Sequence, residues 1–170
     1  MATIKLDYVA SSALTVTALN AGLASSATWV AGWGSGEIDN TSNEYIDYLI
    51  SASLVAESAG LTAGQARMYV VGLLADSVYP DCLSSGTEGT EGAITFTDTE
   101  QRDSVARLAA VTDTDTGASE VYPMGPVSVA ALFGGICPAK FFIFITHSMV
   151  AALETAGNAV YVKGVTLQSA

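Results

Sequence analysis

Hydrophobic and polar residues alternate with a period of two along most of the chain, which is the pattern of half-buried β-strands. In the segment 43–58, Tyr48, Ile50 and Ala52 fall on one face, and Asp47 and Ser51 fall on the other. Similar alternation recurs in TIKLDYV, ALTVTAL, GAITFTDT and NAVYVKGVTLQ, and turn-forming sequences such as GWGSG, DNTSN and SSGTEGTEG separate such segments. The pattern predicts an all-β protein, an antiparallel β-sandwich or barrel, with less than about 15% helix.

Two segments are apolar on both faces. ARMYVVGLLAD, residues 66–76, reads as a central strand, and KFFIFITHS, residues 140–148, is the most apolar part of the chain. The uncharged stretch 121–139 before it has about the length of a membrane-spanning helix, but three prolines and three glycines would disrupt its backbone hydrogen bonds in lipid. We therefore expect FFIFI to be a strand in a sheet core, with Phe142 to Ile145 buried on both of its faces.

Glycine-containing motifs near the C-terminus predict two local structures. Gly157-Asn158 lies in the connection after the apolar strand, and this dipeptide is typical of tight turns. It predicts that Lys140–Thr146 and Val160–Leu167 are neighbouring antiparallel strands. The segment SVAALFGG, residues 128–135, predicts a helical turn that its two glycines end.

Composition and charge indicate which partners to expect. The chain has 170 residues, enough for one domain over 1–170 with a hydrophobic core. Seventeen acidic and six basic residues give a net charge of −11, which predicts repulsion from nucleic acids and anionic membranes. The N-terminal segment does not match a signal peptide, because Lys5 and Asp7 interrupt it, and we expect a soluble protein.

Candidate catalytic and metal-binding residues are few. His147 is the single histidine, so a catalytic triad or a multi-histidine metal site would depend on it, and a structural role is the more common one. DTDTG, residues 113–117, departs from a calcium loop and predicts an ordinary capped turn. Cys82 and Cys137 are more typical of reduced thiols than of a disulfide, although one bridge stays open. We expect no enzyme, cofactor or metal, while carboxylates converging from distant loops keep an enzyme as an alternative.

The uncharged segment Tyr8–Gly36 is the best candidate for contacts with other molecules. Half of the residues of the chain are hydrophobic and 14% are charged, which indicates that neighbours cover part of the surface. Trp29 and Trp33 are the predicted interface residues, because tryptophan often anchors a partner, and core packing is the alternative for both. We also expect the N-terminal strands or arm, residues 1–24, to make contacts between subunits of a homo-oligomer.

Three stretches together resemble head-decoration (cement) proteins of tailed bacteriophages. They are residues 39–54, residues 66–76 with Tyr79-Pro80-Asp81, and residues 125–165 with Phe133-Gly134-Gly135, Pro138-Ala139-Lys140 and Gly157-Asn158. The resemblance spans about 25–168, and the chain has Phe141 where the family usually has tryptophan. It also has ITHSMVAALETAGN in place of an Asn-rich turn.

The resemblance implies a jelly-roll-like β-sandwich that is neither an enzyme nor a cofactor-binding protein. It implies a virion structural protein that is soluble in the host cytoplasm before assembly and then binds the major capsid protein at the head surface, where it stabilises the shell. The alternative is a tail, baseplate or fibre module of the same fold that contacts other virion proteins or host glycans.

Overall fold

The computed structural model describes residues 4–73 and 78–169. The strands are β1 (Ile4–Tyr8), β2 (Ser12–Ala13), β3 (Ala31–Gly34), β4 (Ile38–Asp39), β5 (Asp47–Val55), β6 (Gly64–Gly72), β7 (Leu83–Ser85), β8 (Gly92–Phe96), β9 (Ala106–Thr114), β10 (Val121–Ser128), β11 (Lys140–His147) and β12 (Ala159–Ser169). The helices are α1 (Thr99–Val105) and α2 (Val129–Leu132), with a short 3-10 helix at Leu19–Ala21. Strand accounts for 48% and helix for 9%, which confirms the predicted all-β class.

The strands form two antiparallel sheets packed against each other. In the five-stranded sheet the order is β1-β12-β5-β10, with β2 also pairing with β12. In the seven-stranded sheet the order is β7-β8-β3-β11-β6-β9, with β4 also pairing with β11. This arrangement confirms the predicted β-sandwich, and jelly-roll connectivity stays a prediction.

The main core lies between the two sheets. The alternation in β5 places Tyr48, Ile50, Ala52 and Leu54 in it, as the sequence predicted. The opposing sheet contributes residues of β6 and β11, among them Met68, Val70, Phe141, Ile143 and Ile145. Each strand of this core therefore presents alternate side chains to the facing sheet.

A second core covers the outer face of the seven-stranded sheet. Phe142 and Phe144 point away from the main core and pack with Tyr69 and Phe96, and the Phe144 and Phe96 rings lie 5.0 Å apart in an edge-to-face arrangement. The guanidinium of Arg102, a buried residue of α1, lies 5.2 Å from the Tyr69 ring centre. The four residues 142–145 are all buried, which confirms the expectation for FFIFI.

Helix α1 was not expected from the alternating pattern, and a capping interaction explains it. The Asp98 side chain accepts a hydrogen bond from the Gln101 backbone N–H at 2.7 Å, which is an N-cap geometry. The helical turn predicted in SVAALFGG is present as α2. The Ser128 side chain caps it, and Gly134 and Gly135 follow with positive φ.

Strand β3 brings two glycines under large side chains of the second core. A Cβ on Gly32 would overlap the Ile145 carbonyl oxygen and would lie 2.6 Å from the Phe144 ring. A Cβ on Gly34 would lie 2.9 Å from the Ile94 side chain. The small residues of this segment thus allow close packing inside the chain.

The predicted pairing of Lys140–Thr146 with Val160–Leu167 is wrong, because β11 and β12 lie in different sheets. The connection 148–158 crosses between the sheets, and β12 pairs with β5. Gly157 has a positive φ, and the Asn158 side chain accepts a hydrogen bond from the Val55 N–H at 2.8 Å and donates one to the Glu154 carbonyl at 2.7 Å. Gly-Asn therefore ends a crossing between sheets, and its side-chain bonds fix the start of β12.

The two cysteines are both free thiols. Cys82 belongs to the second core, and Cys137 packs against the main core, so the seven-stranded sheet separates them. Burial raises the pKa of each thiol to about 11. The thiols are therefore protonated at neutral pH, and a bridge between them would require the sheet to open.

We predict that Phe144→Ala lowers the free energy of unfolding by about 3–5 kcal/mol, because it leaves a cavity beside Phe96 and Tyr69. Urea unfolding followed by tryptophan fluorescence measures the loss. Val121→Ala, at an exposed position of β10, is the control and should change stability by less than about 0.5 kcal/mol. A loss below about 1 kcal/mol for Phe144→Ala would contradict the predicted packing.

We also predict that Gly32→Ala destabilises the fold by at least about 2 kcal/mol, because the added methyl group meets the backbone of β11 as well as a side chain. Gly36→Ala is a matched control, since a Cβ on Gly36 would have no neighbour within 4 Å. Thermal unfolding of the two variants compares the sites. Equal stabilities of the two variants would show that β3 can move away from β11 without a loss of stability, which would contradict the prediction.

Candidate interaction surface

The outer face of the five-stranded sheet is exposed, in contrast to the covered outer face of the other sheet. The residues of β5 that point outward, Leu49, Ser51, Ser53 and Val55, alternate with buried residues and are themselves partly exposed. Pairing with β12 sets Tyr161 opposite Ser51, and pairing with β10 sets Val121 opposite Val55. The side chains of all these strands therefore project from one continuous face.

Large hydrophobic side chains are concentrated on this face. Register places Tyr8, Leu6 and Ile4 opposite Val165, Leu167 and Ser169, on the same side of the sheet as Tyr161. Six of the twelve exposed large hydrophobic residues identified in the described ranges lie here: Ile4, Leu6, Tyr8, Val121, Tyr161 and Leu167. Such a concentration is typical of a surface that another molecule covers.

The same face carries little charge. Among its described residues the charged ones are Asp47 and Lys163. Asp47 Oδ1 accepts hydrogen bonds from the Tyr48 and Ala130 N–H groups, each at 2.7 Å. Lys163 Nζ lies 5.6 Å from the centre of the Tyr8 ring, a cation–π distance. Since the chain has a net charge of −11, its acidic residues are concentrated away from this face.

The structure separates the two tryptophans predicted to form an interface. Trp33 is fully buried, and its indole N–H donates to Glu91 Oε1 at 2.8 Å, so it presents no surface to a partner and is a core residue. Trp29 is partly exposed with a φ of 62°, and the Arg67 guanidinium lies 3.9 Å from its ring centre. For Trp33 the structure shows core packing, the alternative that the sequence left open, and the interface role of Trp29 stays a prediction.

The N-terminal segment is divided between surface and core. All five residues of β1 are exposed, whereas Leu19, Leu23 and Ser35 are buried. Ser35 Oγ accepts a hydrogen bond from the Ile143 N–H at 2.9 Å, which ties this segment to β11. The surface that the N-terminal segment offers for contacts therefore includes the beginning of the chain, which lies within the arm predicted from the sequence.

His147 has a structural environment at the end of β11. It is fully buried, with Nε2 2.9 Å from the Leu23 carbonyl oxygen and Nδ1 3.4 Å from the Met149 N–H. These partners require a neutral ring that donates from Nε2 and accepts at Nδ1. Burial lowers the pKa of His147 below its ordinary value of 6.5.

Two carboxylates meet in the turn between β9 and β10. Asp115 Oδ1 accepts hydrogen bonds from the Gly117 N–H at 2.7 Å and from the Tyr122 hydroxyl at 3.0 Å, which is the capped turn expected for DTDTG. The Gly117 N–H lowers the pKa of Asp115, and a hydrogen bond to Asp115 raises the pKa of Glu120. Within residues 4–73 and 78–169 no group of three or more His, Cys, Asp and Glu side chains is arranged to hold a metal ion.

An open cleft of about 440 Å³ lies between β2, β4 and β12. Its lining includes Glu37, Asn43, Tyr45 and Tyr48, residue types that occur in sugar-binding sites. Glu37 is paired with Lys140 at 2.8 Å, and the Tyr45 ring lies against the Gly164 backbone. These contacts occupy a carboxylate and an aromatic ring that a glycan would need to bind. The outer face of the five-stranded sheet is therefore the stronger candidate site.

Searches of protein families, of curated proteins and of solved structures each found no match. Among the helices of the described ranges, none has the length and apolar character needed to cross a bilayer. Sequence reasoning missed the outer face of the five-stranded sheet, although the alternation in TIKLDYV and NAVYVKGVTLQ was visible. Alternation reveals that a strand has two different faces, and it does not reveal which face a second layer covers.

We predict that stability falls between pH 7 and pH 5 in part because His147 must take up a proton. The pKa of His147 is lower in the folded chain than in the unfolded chain, so the unfolded state binds more protons. Lowering the pH below about 6.5 therefore favours unfolding. The slope from this group approaches at most about 1.4 kcal/mol per pH unit. His147→Gln, which keeps a side-chain donor, should have a shallower slope in urea unfolding across this range, and equal slopes would contradict the prediction.

Proposed function

We propose that the protein is a structural component of a phage virion that decorates the head. It binds the major capsid protein through the outer face of the five-stranded sheet and stabilises the shell. The observation that carries this proposal is the concentration of exposed Ile4, Leu6, Tyr8, Val121, Tyr161 and Leu167 on that one face. The sequence resemblance to decoration proteins supports the assignment to the head.

The size of the face supports a stable contact. The strands β1, β12, β5 and β10 have 5, 11, 9 and 8 residues, and at about 3.3 Å per residue and about 4.8 Å between strands they give an area of about 520 Å². Stable protein interfaces bury about 800 Å² on each partner. The outer face of the five-stranded sheet can therefore supply most of one interface without rearrangement of the chain.

The distribution of charge supports a location on the outside of the shell. The chain carries a net charge of −11, which would repel packaged DNA, while the proposed contact face has Asp47 and Lys163 already engaged within the chain. A contact made by such a face depends weakly on salt, because few of its charges can be screened.

The double core supports a role in reinforcement. Strand β11 is packed on both sides, by the main core through Phe141, Ile143 and Ile145 and by the second core through Phe142 and Phe144. Close packing of this kind makes an interior that transmits strain instead of yielding to it. The rigid seven-stranded sheet lies beneath the five-stranded sheet and supports its contact face. Such a support holds bound capsid subunits at fixed positions.

We predict that Tyr161→Asp weakens binding to heads that lack the protein by at least about tenfold, because it buries an unpaired charge in the interface. Val111→Asp is a matched control, since Val111 is 44% exposed and Tyr161 is 43% exposed, and Val111 lies on the seven-stranded sheet. Co-sedimentation of purified protein with heads at two salt concentrations measures the binding. Equal losses for the two variants would contradict the assigned face.

Heads without the protein should break at a lower temperature than complete heads, and adding the wild-type protein should restore resistance. Heads that withstand heating equally well in both states would overturn the decoration role. A copy number of only a few per virion, located at the tail tip, would instead support the tail or baseplate alternative. Quantitative gel analysis of separated heads and tails distinguishes these outcomes.

A further inference from the structure

Strand β1 forms one edge of the five-stranded sheet and is exposed along its whole length. It pairs with β12 through the register Ile4↔Ser169 to Tyr8↔Val165. All five of its residues, Ile-Lys-Leu-Asp-Tyr, are exposed, and so are Leu167, Gln168 and Ser169 of the paired strand. The two strands therefore form a ribbon that projects beyond the packed sandwich and leaves room for another strand beside β1.

The hydrogen-bonding phase of β1 shows which backbone groups face the open edge. The Val9 N–H donates to the Gly164 carbonyl at 3.1 Å, and these residues are opposite each other when the β1–β12 register is extended. In an antiparallel ladder hydrogen-bonded pairs alternate, so Lys5 and Asp7 also bond to β12. The N–H and C=O groups of Ile4, Leu6 and Tyr8 consequently point away from the sheet.

The sequence of β1 is complementary to itself in the antiparallel direction. We propose that β1 pairs with β1 of a second copy of this chain about a two-fold axis at Leu6. In that register Lys5 lies opposite the partner's Asp7, Asp7 lies opposite the partner's Lys5, and Ile4 lies opposite the partner's Tyr8. Leu6 meets the partner's Leu6, and the outward backbone groups of Ile4, Leu6 and Tyr8 form the hydrogen-bonded pairs.

Other symmetric registers are disfavoured by the same charges. An axis at Lys5 would set two lysines opposite each other, and an axis at Asp7 would do the same with two aspartates. Like charges directly opposite each other destabilise a pair of strands, and charged edge residues commonly block unwanted pairing. In β1 the spacing of Lys5 and Asp7 therefore blocks these symmetric registers and favours the one at Leu6.

The pairing would join the two five-stranded sheets into one continuous sheet. Because Ile4, Leu6 and Tyr8 project on the same side as Tyr161, the outer faces of both copies would then be adjacent and would point in the same direction. The pairing concerns the isolated protein and does not depend on what the outer face binds. The dimer can be absent while binding to heads is observed, and binding to heads can be absent while the dimer forms.

Charge reversal at two positions tests the pairing. Sedimentation equilibrium of the isolated protein should show a dimer, and Lys5→Asp or Asp7→Lys alone should weaken it by about tenfold or more, because each variant sets like charges opposite each other twice. The double variant Lys5→Asp/Asp7→Lys should restore the dimer. A mixture of the two single variants should form a heterodimer, since their β1 strands become complementary to each other.

Amide hydrogen exchange provides a second measurement that does not rely on variants. In the monomer at low concentration the amides of Lys5 and Asp7 should be protected by β12, and those of Leu6 and Tyr8 should exchange rapidly. At concentrations that favour the dimer, the amides of Leu6 and Tyr8 should become protected as well. A monomer at all concentrations, or a dimer whose strength is unchanged by the single charge reversals, would overturn the proposal.

Discussion

The structure depends on one strand, β11, that is buried on both of its faces. Phe141, Ile143 and Ile145 close the main core, while Phe142 and Phe144 form the centre of the second core. An antiparallel sheet commonly has one face in water, so two covered faces require an additional layer. Helix α1 with its buried Arg102 helps to form that layer, and the glycines of β3 allow the aromatic rings to lie close to the neighbouring backbone.

This additional layer makes the two sheets unequal. The second core covers the outer face of the seven-stranded sheet, whereas the outer face of the five-stranded sheet, with Val121, Tyr161 and Leu167, is exposed. The difference explains how a chain with 50% hydrophobic residues and a net charge of −11 can be acidic overall and still have one exposed face that is largely hydrophobic. Both proposals use this sheet, the decoration role through its face and self-association through its edge.

The sequence predicted the features that follow from local pattern. Alternation located β5, and the absence of a polar face in FFIFI predicted burial on both sides. The sequence could not predict that β11 and β12 lie in different sheets, because Gly157-Asn158 is equally suited to a hairpin and to a crossing fixed by side-chain hydrogen bonds. Trp33 and Ile4 illustrate the same limit, since which hydrophobic residue is covered depends on the layer that the rest of the chain supplies. Asp98 with Gln101 was a recognisable signal for α1 that alternation outweighed.

The order of strands has a consequence for synthesis of the protein. The strand β11 lies between β3 and β6, and β12 lies between β1 and β5, so the middle of each sheet is supplied by residues 140–169. During translation the earlier strands cannot complete either sheet until these residues have been synthesised, so some strand edges stay unpaired and apolar faces stay exposed. Premature termination before residue 140 would therefore remove the centre of both sheets at once, and it would release a chain prone to aggregation.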